Sequence, residues 1–456
     1  MGISKYLVFS VVSTMMLLVS INGTAVAVAF PVLTDSFGAS LILAGWVLSI
    51  YQLMGIISMP LAGKASDIVG KRFAFIISVF SFTLGCLLCA LSPNIQTLIF
   101  SRLVQGVGYG ATLPIGTGIV AEAYPESRQK LIGLLSSIFP IGQIIGPTIG
   151  GWMVTAYGWR SIFWLNVPLG IILMIATVLL IRPGKPGRGF MDLKGAAYMT
   201  GALLGIMLGM SFMGSKAGAI LLAAAIVFMF FFLRHINRTE NPIVDREIFR
   251  GRPFMAANLF NFVYGAAIFG VTSFIPLYVV SVYDMSTLAS GLVLTPRSIC
   301  VTLSGVITSL SLLRWGYRRP MLVGTMIIAF TLVLLGIELH GFIFLGIPVT
   351  SMTIMVVIMI FSGLGMGIVA PASNNACIDL MPERVAAITG VRGMFRTVGG
   401  AFSIVVITLL LENVGDVALG FMICFFGMAF LEIAVLPLIF AMPRGPIVAD
   451  QDENMF

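Results

Sequence analysis

The sequence predicts an all-α polytopic membrane protein, two six-helix bundles joined through two additional helices, with about fourteen spans of roughly 20 residues each. Three observations carry this reading. The 456 residues are 59% hydrophobic and only 10% charged, with a mean hydropathy of +1.06, whereas a soluble domain is about one quarter charged. Apolar runs of membrane-crossing length recur along the whole chain. Basic residues fall almost entirely into alternate loops between those runs.

The first run, 6–31, follows Lys5 and is longer than the apolar region of a cleaved signal peptide, so it is read as a span. The Asn22-Gly23-Thr24 sequon lies inside it and is no glycosylation site. Runs 41–62, 73–92, 96–120, 130–155 and 161–181 complete a first bundle, residues 1–181. A Gly- and Pro-rich break at 182–193 and a charged break at 234–253 bracket runs 194–213 and 217–233, so 182–253 reads as a linker carrying two extra spans. Runs 254–281, 288–312, 321–339, 348–372, 385–411 and 418–441 form a second bundle, 254–456, with a short tail. All must be helices, because lipid offers backbone groups no hydrogen-bond partner and the runs lack the alternation of a membrane barrel.

Charge tests the count. Of 26 Lys and Arg residues, only Arg160 and Lys216 fall in loops assigned to the outside, while Arg102, Arg297, Arg392 and Arg396 lie within spans. The rest fall inside if the N-terminus is cytoplasmic. A miscounted span would invert every later loop, so the asymmetry supports the count, a plasma- or inner-membrane location and two cytoplasmic termini.

Composition excludes several classes. The net charge of +8 is spread over short loops and makes no nucleic-acid stripe. Cys86, Cys89, Cys300, Cys377 and Cys424 sit in or beside apolar runs, so neither a disulfide framework nor a redox C-x-x-C is expected. No phosphate-binding G-x-x-x-x-G-K-[ST] occurs. His235 and His340 read as isolated residues, and no metal, cofactor or catalytic site is expected.

Three segments carry chemistry. In 63–72, Gly63 and Gly70 allow tight turning and close approach, and Asp67 can accept from Lys71 or Arg72. In 102–108, Arg102 lies inside the fourth span with Gln105. An arginine there costs roughly 2.5–3.5 kcal/mol on insertion scales and should face water or a partner. In 142–151, Gly142, Gly146 and Gly150 recur every fourth residue, clearing one helix face for another backbone, and Pro147 removes a helix hydrogen bond. Gln143 lies in the same segment.

These segments resemble motifs A, B and C of the major facilitator superfamily, and the chain resembles its fourteen-helix drug:proton antiporter family. Trp46, Ser49, Tyr51 and Gln52 in the second span, 159–168 around the sixth, Leu294-Thr295-Pro296-Arg297 in the tenth and the two extra spans favour that branch. The resemblance implies that 63–72 latches the cytoplasmic side, that Arg102 serves proton coupling, and that 142–151 favours antiport. It also implies two bundles rocking about a midplane cavity, the seventh and eighth spans lying peripheral.

One position departs from the family. Where its first span usually carries an acid, this chain has Asn22, which binds no proton near neutral pH. Glu432 is the deepest acid elsewhere and an alternative proton carrier, with H+ the expected coupling ion. Arg392 and Arg396, four apart on one face, are free either to attract an anionic group on the substrate or to pair with Asp379, Glu383 or lipid phosphate. Asn258, Asn261 and Tyr264 form a polar stripe in the ninth span, and Asn374 ends a glycine-rich stretch in the twelfth. Together with Asn22, Tyr51, Gln52, Arg102, Gln105, Gln143 and Arg297, they are the candidate substrate-cavity residues.

The expected function is gradient-driven efflux of small amphiphilic compounds by a monomer surrounded by membrane lipid. Rival readings are a lipid or glycolipid exporter, an anion-selective facilitator, and a non-transporting membrane sensor or scaffold.

Overall fold

The computed structural model describes residues 2–124, 128–183, 192–239, 242, 251–344, 347–380 and 385–445. Its first helices are α1 Gly2–Phe37, α2 Leu41–Val69, α3 Lys71–Ala90, α4 Ile95–Ala123, α5 Arg128–Tyr157, α6 Arg160–Leu180, α7 Leu193–Ser211 and α8 Lys216–Ile236. They are followed by α9 Arg252–Gly265, α10 Thr272–Tyr283, α11 Thr287–Trp315, α12 Arg318–Gly336, α13 Ser351–Ile378, α14 Val385–Val414, α15 Val417–Ala434 and α16 Leu436–Ile439. A π-helical turn, Ala266–Val271, joins α9 to α10 as one span.

Helix starts are chemically marked. Ser40, Asn94, Asp192, Ser215, Ser286, Thr350 and Asp416 each accept a hydrogen bond from a backbone N–H of the first turn. Such caps satisfy donors that a helix leaves open at its N-terminus.

Among the described residues, twelve helices are long and apolar enough to cross a membrane, so the expected fourteen stands at twelve on that criterion. α4 and α5 have 29 and 30 residues but fall outside the set. α4 dilutes its apolar character with glycines, Arg102 and Gln105, and α5 includes side chains outside the described residues.

Several boundaries differ from expectation. The loop expected over 63–72 shrinks to Gly70, whose φ of 90° turns the chain between α2 and α3. The last span breaks after Ala434, with Pro437 near the start of α16. Between α12 and α13 the loop contains antiparallel strands β1 Phe342–Phe344 and β2 Ile347–Val349, with Phe342 opposite Val349. Pro31 lies within α1, which continues to Phe37.

The chain forms two compact units, Met1–Ile243 and Val244–Phe456. In the first, Val12, Met15, Phe75, Val79, Phe82 and Ile115 belong to a buried core between α1, α3 and α4. Gly106 and Gly110 let α4 approach α2, and Gly108 lets it approach α3. Arg160 donates to Ser92 O at 3.0 Å and lies over Trp159, joining α6 to the end of α3. Lys71 pairs with Glu122, joining the start of α3 to the end of α4. α7 and α8 pack on each other through Gly201, Gly205 and Gly209, and Trp46 Nε1 donates to Ser211 Oγ at 3.0 Å to join α7 to α2.

His235 is not isolated, contrary to expectation. Its Nε2 lies 2.6 Å from Asp192 Oδ1, which also caps α7. His340 packs against the Tyr283 ring.

In the second unit, Gly363 and Gly367 admit α11 to α13, and Gly324 and Gly365 admit α12. Gly265 and Gly399 bring α9 and α14 into backbone contact. Tyr278, Phe421 and Phe425 form an aromatic cluster between α10 and α15. A network at the opposite end anchors 440–444. Arg318 donates to the carbonyls of Phe440 and Met442, Tyr317 N donates to Arg444 O at 2.9 Å, and Tyr317 Oη donates to Asp379 at 2.6 Å.

Candidate functional site

The first unit builds its polar site around Arg102, whose side chain is 1% exposed. Its Nε donates to Val47 O at 3.0 Å and its Nη1 to Asn22 Oδ1 at 3.0 Å and to Gln105 Oε1. The guanidinium lies 3.9 Å from the centre of the Tyr51 ring, which stacks on Tyr109. Gln105 Nε2 donates to Asn22 Oδ1 at 3.1 Å and to Cys86 Sγ. A charge at this depth is tolerable because carbonyls and a π-face replace its water. None of the groups bonded to Arg102 is an acid.

The structure brings Asn22, Tyr51, Arg102 and Gln105 together. Gln52 belongs to the same helix as Tyr51, but its Oε1 is buried with no donor. Gln143 lies on α5 and is half-buried. Tyr109 and Cys86 were not anticipated. Their only sequence signal is the i, i+4 relation of Gln105 to Tyr109 and the glycines that bring α3 and α4 together.

The glycine face of α5 packs on α1. A side chain on Gly142 would meet Ser20 Cβ at 2.6 Å, one on Gly146 would overlap Thr24 Oγ1, and one on Gly150 would meet Ala25 Cα at 2.7 Å. Pro147 is buried within the continuous α5. The side chain of Asp67 lies outside the described residues, and Lys71, one of its two expected partners, is bound to Glu122. Arg72 is half-buried at the start of α3, and Gly63 lies near Pro114.

The second unit gathers most of its candidates around Tyr264. This fully buried side chain donates to Met366 O at 2.7 Å and lies within electrostatic reach of Arg297, Arg392, Arg396 and Glu432. Arg392 Nη1 donates to Asn261 Oδ1 at 3.3 Å, and Asn261 also accepts from Ser373. Arg297 Nη2 donates to Met366 Sδ at 2.7 Å, and Arg396 lies 5.3 Å from the Phe269 ring centre. Asn258 Nδ2 and Asn374 Oδ1 are buried without partners. Glu432 is 0% exposed, and neither of its oxygens accepts a hydrogen bond.

Among the described residues Asp379 forms no ion pair with Arg392 or Arg396 and accepts from Tyr317 Oη. Glu383 lies outside the described residues. The π turn that supplies Phe269 had no clear signal in the uniformly apolar 266–271.

Residues 12–404 match the family model described as Major Facilitator Superfamily. The chain belongs to the Major Facilitator Superfamily. It is 31% identical over 405 residues to a multidrug resistance protein B homolog of Mycobacterium tuberculosis, covering 86% of this chain and 73% of that one. It is 28% identical over 400 residues to the multidrug transporter protein MdtP of Bacillus subtilis, covering 84% and 71%. The crystal structure of a bacterial homolog to the human lysosomal transporter Spinster superposes with a TM-score of 0.67 at 12% identity, covering 95% of each chain. This superfamily member is therefore a multi-pass membrane transporter and no enzyme.

Proposed function

We propose that this superfamily member exports small amphiphilic compounds by alternating access, driven by an ion gradient. In this reading it is a fourteen-span protein, with α4 and α5 crossing alongside the twelve more apolar spans and both termini cytoplasmic in the cell membrane. The observation that carries it is the bare face of α5, where Gly142, Gly146 and Gly150 receive the backbone and short side chains of α1. This is the segment resembling the exporters' motif C, and the similarity to multidrug transporters points the same way.

We assign the coupling ion to H+ and its carrier to Glu432. Asn22 cannot exchange a proton, whereas a carboxyl buried without a hydrogen-bond partner is held as a neutral group when closed and releases its proton when opened to water. An efflux assay in proteoliposomes with an imposed pH gradient tests both parts. Gradient-stimulated export of an amphiphilic dye is expected, and absence of export in either orientation rejects the reading.

A further inference from the structure

We propose that the C-terminal unit contains a subsite for an anionic group, the carboxylate, sulfonate or phosphate of an amphiphilic cargo, formed by Arg297, Arg392 and Arg396 around Tyr264. The identity of its occupant as cargo rests on the transport reading above; the binding chemistry does not.

Hydrogen bonding divides the arginines of this molecule into two groups. Arg102 spends its donors on Val47 O, Asn22 and Gln105, and Arg318 spends its donors on Phe440 and Met442 carbonyls. Both have a carbonyl acceptor at Nε, as expected of structural groups. The three around Tyr264 do not. Each has a buried Nε with no acceptor. Their other contacts are a thioether, one amide oxygen at 3.3 Å and an aromatic ring at 5.3 Å.

Charge accounting leads the same way. Among the described residues no carboxylate forms an ion pair with any of the three. Arg392 and Arg396 stand one turn apart on α14, so like charges are adjacent. Uncompensated charge away from water is costly, and an arriving anion relieves it. A planar guanidinium presents paired donors that match the two oxygens of a carboxylate, sulfonate or phosphate.

Arg297 also lines a narrow cavity within this unit, between the π turn, α11, α12 and α13, where Thr272, Thr331 and Ser362 supply hydroxyls among apolar walls. The π turn is the kind of local widening that recurs at functional positions in helices. Unspent N–H donors with hydroxyls nearby select an acceptor carrying negative charge, and they repel a cationic amphiphile.

The test uses purified full-length protein in neutral phosphatidylcholine nanodiscs. Binding is measured for three dansyl-labelled alkyl probes of equal length ending in a carboxylate, a methyl ester or an amine. The carboxylate is expected to bind at least about tenfold more tightly than the ester, with the amine weakest. Arg297→Gln, Arg392→Gln and Arg396→Gln should each erase most of that preference, the ratio of carboxylate to ester affinity falling toward one in protein that still elutes as a folded species. Arg392→Lys should restore part of it in binding, a readout that a packing role would not move.

Equal affinity for all three probes, or a carboxylate preference that survives the Arg392→Gln/Arg396→Gln double variant, overturns the subsite. Displacement of the carboxylate probe by phosphatidylglycerol in the disc, without displacement by excess unlabelled alkyl carboxylate, assigns the site to lipid headgroup and overturns the cargo reading. Displacement by millimolar acetate or inorganic phosphate as effectively as by alkyl carboxylate reduces it to a free-anion site and overturns it equally. A carboxylate preference in a protein that exports nothing leaves the subsite standing and removes only the export function.

Discussion

Asn22 Oδ1 accepts from Arg102 Nη1 at 3.0 Å, so the innermost cation of the first unit rests on an amide where a carboxylate would have formed an ion pair. The amide oxygen is shared with Gln105, and the Tyr51 ring covers the guanidinium face. The consequence is a positive charge stabilised by neutral groups whose protonation does not change near neutral pH.

Replacing Arg102 should therefore remove a hub rather than one bond. Arg102→Ala leaves Val47 O, Asn22 Oδ1 and Gln105 Oε1 without this donor, at a cost of about 1–3 kcal/mol per unsatisfied buried group. Export is expected to fall at least about tenfold, the equivalent of 1.4 kcal/mol, while the protein still reaches the membrane. Comparing dye efflux with the amount of protein in isolated membranes checks this, and unchanged efflux would remove Arg102 from the transport machinery.

Asn22→Asp makes the complementary prediction. A carboxylate at this distance from Arg102 creates an ion pair, and a titrating group now sits in the first unit. Export by the variant should depend more steeply on an imposed pH gradient than export by the parent. A slope identical to the parent's would show that the group beside Arg102 has no part in coupling.

How much of this was legible depended on the range of the interaction. Spans were readable because lipid imposes a length and an apolarity on each segment separately. The α5 glycine face was readable for the same reason, since its four-residue spacing needs no knowledge of the partner. The Arg102 neighbours Asn22 and Tyr51 emerged through family pattern, not through physics of the sequence. Lys71 with Glu122, His235 with Asp192 and Tyr317 with Asp379 are separated by 51, 43 and 62 positions. They depend on helix packing that no local signal specifies. The π turn escaped because α- and π-helical backbone share the same apolar composition.

Glu432→Gln tests the proposed proton carrier. The amide keeps the shape of the side chain and abolishes proton exchange, so stimulation of export by an inward-directed proton gradient should disappear. Binding of amphiphilic probes should be retained. The check is flux in sealed proteoliposomes with and without the gradient. Full stimulation in the variant would place the coupling group elsewhere.

The contact between α5 and α1 permits a rescue experiment. Gly146→Val forces branched carbons against Thr24 Oγ1 and Ile21 O, and overpacking of this kind typically costs about 1–3 kcal/mol. A lowered thermal midpoint in detergent and reduced export are expected. Gly146→Ala should be milder, and adding Thr24→Gly should recover part of its loss by vacating the space the new methyl enters. If Gly146→Val exports normally at the parent's thermal midpoint, α1 and α5 do not need their close approach for transport.

The segment at 440–444 gives a prediction about stability alone. Gly316 has φ of 66° and its Cα faces Arg444 O, while Tyr317 donates to Asp379. Burial, followed by the adjoining Asp379 carboxylate, raises the Tyr317 hydroxyl above its ordinary range, so it remains a donor throughout neutral and mildly alkaline pH. Tyr317→Phe leaves Asp379 without that donor and should lower stability by about 1.5–3 kcal/mol, the usual size for a bond to a charged group. A denaturation series of parent and Tyr317→Phe at neutral pH, where the Tyr317 hydroxyl is a donor, measures the loss. Equal stability of Tyr317→Phe and parent would show that this bond does not hold the 440–444 segment in place.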